Sequence, residues 1–257
     1  MATIPTGRFV WFEYISKDPK KAQAFFGEVF NWKTQNMPAQ GGASGDYTMI
    51  AIDGDTVGGY PPFMEGMPAH AHWLTHLQVA DANAAAQKVK SLGGKIMKEP
   101  VKMGDFGTWT LVADPTGAVF CMWQPGKPEG TGDFKGKNGT FCWNELMTSD
   151  PDKAVAFYKQ LGGFTHKPQD MGPHGTYHVL EFDGKPRAGI MKSPKSDIPN
   201  AWLPYVQVAS ADQAIEKAKR LGANIVAPAN DIPNVGRFAI LVDPLGAALG
   251  VLQPPKH

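Results

Sequence analysis

Cysteine is almost missing. The chain of 257 residues has two, Cys121 and Cys142, with no C-x-x-C spacing. That excludes a disulfide framework and a thiolate-rich structural zinc site, and predicts two reduced thiols packed in strands rather than a catalytic nucleophile. An excess of charge of either sign is also lacking: 25 Lys and Arg against 24 Asp and Glu leave a formal net charge of +1. Nothing therefore argues for nucleic acid or an acidic membrane surface as partner. No apolar run reaches the length that spans a bilayer. The opening "MATIPTGRFVWF" has no basic segment ahead of an apolar core, so no secretion signal is expected and the reading is cytoplasmic. With 42% hydrophobic and 19% charged residues, the composition is that of a globular chain long enough for two small domains.

What is present is repetition. "GRFVWFEYISKDPKKAQAFF" from Gly7 aligns with "GTFCWNELMTSDPDKAVAFY" from Gly139, matching Trp11, Glu13, Asp18, Pro19 and Phe25 to Trp143, Glu145, Asp150, Pro151 and Phe157. Trp73 to Pro125 aligns without gaps with Trp202 to Pro254, and "DPTGAVFCMWQP" from Asp114 returns as "DPLGAALGVLQP" from Asp243. The chain is a duplication of a unit that itself holds two modules.

Each module begins as a strand and continues as a helix. "RFVWFEYIS" is rich in β-branched and aromatic residues. Asp18 then offers an N-cap with Pro19 at the first helical position, and Ala22, Phe25, Phe26, Val29 and Phe30 follow at helical spacing. "WLTHLQVA" precedes a second helix predicted from about Ala82 to Leu92 and closed by Gly93-Gly94. The Asp114–Gly117 segment reads as the turn of a hairpin. The polar, glycine-rich "GKPEGTGDFKGKNG" reads as a linker, giving domains at 1–127 and 138–257 joined by 128–137.

Four βαβββ modules in pairs, with Phe-Phe or Phe-Tyr in the first helix and two Asp-Pro-x-Gly turns, resemble the vicinal oxygen chelate superfamily. That superfamily includes glyoxalase I, bleomycin-resistance proteins and extradiol dioxygenases. The chain is most similar to its tandem bacterial glyoxalase-like members. The resemblance implies an α+β fold in which each pair of modules curves its strands around a cup. It does not fix function, because the family builds lyases, oxygenases, epimerases and drug-sequestering proteins on one scaffold.

Strand alternation sends Trp11, Glu13 and Ile15 of the first strand to the predicted cup, and Trp143, Glu145 and Met147 in the repeat. Later strands add Leu74, His76 and Gln78, and Leu203, Tyr205 and Gln207; the closing strands add Cys121 and Trp123, and Gly250 and Leu252. The resemblance implies a divalent metal held by His, Gln or Glu from these strands. Its ligand positions fall on Trp11 and Trp143, on Leu74 and Leu203, on Cys121 and Gly250, and on "VGGYPP" and "RAGIMK", which carry no acid or histidine. Such residues cannot together bind a hard or borderline cation, so no metal ligand is assigned, no cofactor is expected and a divalent metal is disfavoured.

Glu13 and His76 are the candidate acid/base residues; Trp11, Gln78, Cys121, Trp123, Trp143, Glu145, Tyr205 and Gln207 are candidate ligand contacts. Tyr60 is a further candidate in the first cup and His178 in the second. Glu13 beside apolar walls is expected to have a raised pKa unless His76 pairs with it. Trp73 and Trp202 read as core, "GGAS" from Gly41 as a surface loop, and "HAH" from His70 as an exposed connection. The expectation is a protein binding a small aromatic or hydrophobic molecule, as monomer or homodimer. The alternative is a glyoxalase-like lyase, isomerase or oxygenase using Glu13 and His76 as acid/base or as metal ligands.

Overall fold

The computed structural model describes residues 6–38, 45–127 and 136–255. The Gly41–Ser44 loop and residues 128–135 of the predicted linker lie outside the described residues. The first repeat runs β1 (Phe9–Ile15), α1 (Pro19–Phe30), β2 (Lys33–Pro38), β3 (Asp46–Ile52), β4 (Asp55–Tyr60), β5 (His72–Gln78), α2 (Ala82–Ser91), β6 (Lys95–Met103), β7 (Gly107–Ala113) and β8 (Val119–Pro125). The second runs β9 (Phe141–Thr148), α3 (Pro151–Gly162), β10 (Thr165–Asp170), β11 (Thr176–Phe182), β12 (Lys185–Lys192), β13 (Ala201–Gln207), α4 (Ala211–Arg220), β14 (Asn224–Ile232), β15 (Gly236–Val242) and β16 (Ala248–Gln253). This is the expected α+β arrangement of four βαβββ modules. The strands form two eight-stranded sheets, ordered β2-β3-β4-β1-β5-β8-β7-β6 and β10-β11-β12-β9-β13-β16-β15-β14.

Local chemistry explains the boundaries. Asp18 and Asp150 cap α1 and α3 by accepting from the amides of Lys21 and Lys153, with Pro19 and Pro151 in the first turn. Asp81 and Ser210 do the same for α2 and α4. In the Asp-Pro-x-Gly turns, Asp114 Oδ1 accepts from the amides of Thr116 and Ala118, and Asp243 Oδ1 from those of Leu245 and Ala247. Gly117 and Gly246 take φ of 99° and 102°, a region that strains any side chain.

The described residues fall into two compact units, and each takes one module from each repeat. One unit lies within Met1–Val10, Leu74–Asp133 and Trp143–Trp202. Its core sets Phe120 edge-on to Phe157 and tilted against Tyr158, and a buried chain runs from Trp202 Nε1 to Tyr158 Oη and on to Asp114 Oδ2, each bond 3.0 Å. The other lies within Trp11–Trp73, Phe134–Cys142 and Leu203–His257. There Phe12 stacks on Phe141 at 4.0 Å, Tyr14 and Trp73 meet Phe26 of α1, and Trp32 Nε1 donates to Gly139 O at 2.7 Å. Trp73 and Trp202 are thus core residues facing helices, as their position in the pattern predicts. Among the described residues no helix is long and apolar enough to cross a membrane.

Candidate functional site

Trp11 and Glu13 project from the same face of β1, and a tyrosine from another strand joins them. Trp11 Nε1 donates to Tyr47 Oη at 2.7 Å, and Tyr47 Oη donates to Glu13 Oε1 at 2.8 Å. Tyr47 stands on β3, whereas Glu13 is two strands away, opposite Gly59 of β4 in parallel register. Neighbouring strands lie about 4.8 Å apart, so the ring reaches β1 only by lying across β4. Gly59 makes that passage: a Cβ there would meet Tyr47 Oη at 2.3 Å.

The second repeat builds the same group. Trp143 Nε1 donates to Tyr177 Oη at 2.8 Å, and Tyr177 Oη donates to Glu145 Oε2 at 2.8 Å. Glu145 lies opposite Gly189 of β12, where a Cβ would meet Tyr177 Oη at 1.8 Å. Burial, then the Glu145 charge, push the Tyr177 hydroxyl well above its ordinary pKa, while the Trp143 N–H pulls the other way. The phenol therefore stays protonated and donates.

The remaining sequence candidates occupy separate places. His76, 6% exposed, stands opposite Cys121 in the parallel β5–β8 pair, and Gln78 opposite Trp123. They belong to one compact unit and Glu13 to the other. Tyr205 stands opposite Gly250 in the β13–β16 pair, its ring filling the space above that glycine, where a Cβ would lie 2.2 Å from it. Gln207 donates through Nε2 to Gly136 O at 2.8 Å.

Two expectations are corrected. Tyr60 does not join Trp11 and Glu13: it is 2% exposed and packs on Tyr14, because it alternates with Gly59 to the opposite face of β4. His178 does not join Trp143 and Glu145: it follows Tyr177 directly on β11 and points to the other face, against His166. Tyr47 and Tyr177 themselves were missed. Their signal was in the sequence: both repeats pair a tyrosine on the third strand, in "DYTMI" and "TYHVL", with a glycine on the fourth, in "VGGY" and "RAGI".

The donor set suits organic contacts better than a cation. Indole nitrogens of Trp11 and Trp143 donate only, and here they donate to tyrosine. Leucine and glycine offer no ligand atom, and the space above Gly59, Gly189 and Gly250 is filled by tyrosine rings. Among the described residues no three His, Cys, Asp or Glu side chains come together as a closed ligand set. At Trp11, Trp143, Leu74, Leu203 and Gly250 the side chains do not fit the divalent ion that the resemblance implies.

The family profile of the Glyoxalase/Bleomycin resistance protein/Dioxygenase superfamily matches residues 8–122 and 143–251. CFP32 of Mycobacterium bovis, whose name assigns it provisionally to the glyoxylases, is 35% identical over 246 residues, covering 95% of this chain and 94% of its own. The anthracycline biosynthesis protein DauV of Streptomyces sp. (strain C5) is 29% identical over 268 residues, covering 98% of this chain and 95% of its own. The Mn(II)-bound glyoxalase of Novosphingobium aromaticivorans shares the fold, with a TM-score of 0.62 at 17% identity, over 98% of this chain and 83% of that one.

Proposed function

The chain belongs to the Glyoxalase/Bleomycin resistance protein/Dioxygenase superfamily, and we propose that it binds a small, planar aromatic molecule at its Trp–Tyr–Glu groups without a resident metal. The observation that carries this reading is the identical group built twice, each time with a glycine kept open for the tyrosine. An indole held by its N–H presents a fixed aromatic face, and the carboxylate beside it is an acceptor that a ligand hydroxyl or amine can recognise. Part-exposed Trp11, Glu13 and Tyr47 are open to such a ligand. The name of DauV, similar over 98% of this chain, places that relative in anthracycline biosynthesis and supports this ligand class.

The test is a fluorescence and calorimetric titration with 1,4-dihydroxyanthraquinone, followed by recovery of the compound. Saturable binding, unchanged ligand, and a loss of about tenfold or more in affinity for Glu13→Gln or Glu145→Gln support the reading, as expected for a hydrogen bond to a charged group. No saturable binding sinks it. A second reading, an enzyme using Glu13 as its acid/base residue, is favoured by the hydroxyl that Tyr47 holds against Glu13; His76, in the other compact unit, is not part of it. Product formation that Glu13→Gln abolishes would establish it.

Each compact unit completes itself with modules of both repeats from one chain. This supports a monomer in solution, and light scattering behind size exclusion tests it.

A further inference from the structure

The second repeat carries an imidazole pair that the first does not. His166 on β10 and His178 on β11 face each other with ring centroids 5.4 Å apart and planes inclined by 32°. Both lie on the face of their strands away from Tyr177. His166 pairs in register with fully buried Leu180, and His178 with Pro168. His178 is 8% exposed, yet its Nδ1 has no hydrogen-bond partner among the described residues. A buried ring nitrogen without a partner is costly, and such a group in a native fold calls for an explanation. Asp152, in the first turn of α3, is an electrostatic neighbour of His178.

The first repeat serves as an internal control. The residues at the positions of His166, His178 and Asp152 are Thr34, Thr48 and Lys20. There Thr48 Oγ1 donates to Asn36 Oδ1 at 2.9 Å, closing the same strand pair with an ordinary hydrogen bond. One duplicated framework thus has neither imidazole nor carboxylate at these positions in one copy, and two imidazoles with a carboxylate nearby in the other.

We propose that His166 and His178 form a site for a borderline divalent cation of the Cu²⁺, Ni²⁺ or Zn²⁺ class, separate from the Trp–Tyr–Glu groups. Two imidazole nitrogens sharing an ion at about 2.0–2.1 Å each set their ring centroids roughly 5–6 Å apart, which the observed pair matches. Because no three ligand side chains form a cage among the described residues, the site is open: two imidazoles, solvent in the remaining positions, and Asp152 as an outer carboxylate. Half-exposed His166 gives the ion its way in. Imidazole ligation selects against Mg²⁺ and Ca²⁺ and ranks Cu²⁺ above Ni²⁺ and Zn²⁺.

The experiment is calorimetric titration of the full chain, purified without immobilised metal, with Cu²⁺, Ni²⁺, Zn²⁺ and Mg²⁺ alone. The expected result is one equivalent of Cu²⁺, weaker Zn²⁺ and Ni²⁺, no Mg²⁺, and a loss of tenfold or more in His166→Thr, which restores the residue of the first repeat at a half-exposed position. An unchanged melting temperature of that variant without metal shows that folding is intact. His70 and His72, with ring centroids 5.2 Å apart at the start of β5, are the competing pair. Binding that survives His166→Thr but is lost in His70→Ala overturns the proposal, as does the absence of any Cu²⁺ binding.

Discussion

Tyr14 Oη donates to Asp243 Oδ2 at 2.5 Å, a buried bond between the first strand and the last hairpin turn. Its repeat-related bond is made differently. Asp114 receives its hydrogen bond from Tyr158 on α3, not from Leu146, which occupies the place of Tyr14, whereas Phe26 occupies the place of Tyr158. The acceptor is held by the Asp-Pro-x-Gly turn in both units, and the donor has moved from helix to strand. Each turn's Asp Oδ2 takes one tyrosine hydroxyl, from either the strand or the helix. Removing it in Tyr14→Phe leaves a buried carboxylate short of a donor and is expected to destabilise by about 1–3 kcal/mol in urea unfolding.

The same pair sets a pH dependence. Burial raises the Asp243 carboxyl above its ordinary value, against the opposing pull of the Tyr14 hydroxyl and the turn amides. A carboxyl raised by folding holds its proton more tightly in the folded state. Its contribution is therefore favourable below the unfolded pKa of about 4 and declines as pH rises through the folded value. Stability of wild type relative to Asp243→Asn should fall across that window, and in Tyr14→Phe, which loses a contact favouring the charged form, the window should extend to higher pH. A difference between wild type and Asp243→Asn that is flat with pH would refute this.

The Trp–Tyr–Glu groups predict a coupled pair of substitutions. Gly59→Ala places a methyl 2.3 Å from Tyr47 Oη and should cost about 1–3 kcal/mol by overpacking. In a Tyr47→Ala background the same change should be nearly neutral, giving a coupling energy of about 1 kcal/mol or more in a double-mutant cycle. Additive effects would mean that the tyrosine does not lie across the glycine.

The module order, the caps, the turns and the helix-facing tryptophans were legible because each depends on residues close in sequence: Asp18 with Lys21, Asp114 with Ala118, Phe26 one helical turn from Phe30. The face of Trp11 and Glu13 was legible from alternation alone. Tyr47 was not, because its role depends on the residue it crosses, Gly59, and on a partner two strands distant. A glycine in a strand reads as weakness until the ring that needs its space is known. His178 was misplaced for the opposite reason: a polar residue near a predicted cup invites assignment to it, although its neighbour Tyr177 had already taken that face.

The thiols should be inert in the folded chain. Burial pushes the Cys142 thiol up to about 12, and Cys121 is fully buried. The thiolate is the reactive form, so Ellman's reagent at pH 8 should titrate neither thiol in native buffer and both in denaturant. Rapid native labelling would show that the strands carrying them open far more readily than their packing implies.

The facing pairs His76–Cys121 and Tyr205–Gly250 make a last prediction, since both are parallel-register neighbours at equivalent positions of the two repeats. A ring the size of tyrosine fills the space above Gly250, whereas His76 faces a cysteine. Gly250→Cys alone drives its Cβ to within 2.2 Å of the Tyr205 ring and should cost about 1–3 kcal/mol or lower the soluble yield. Tyr205→His together with Gly250→Cys transplants the first repeat's pair and should recover most of that loss, measured by thermal unfolding of both variants. Failure of the double variant to recover would show that neighbours beyond the pair dictate the glycine. Recovery would show that one exchange of bulk between adjacent strands accounts for the different residues at this position of the two closing strands.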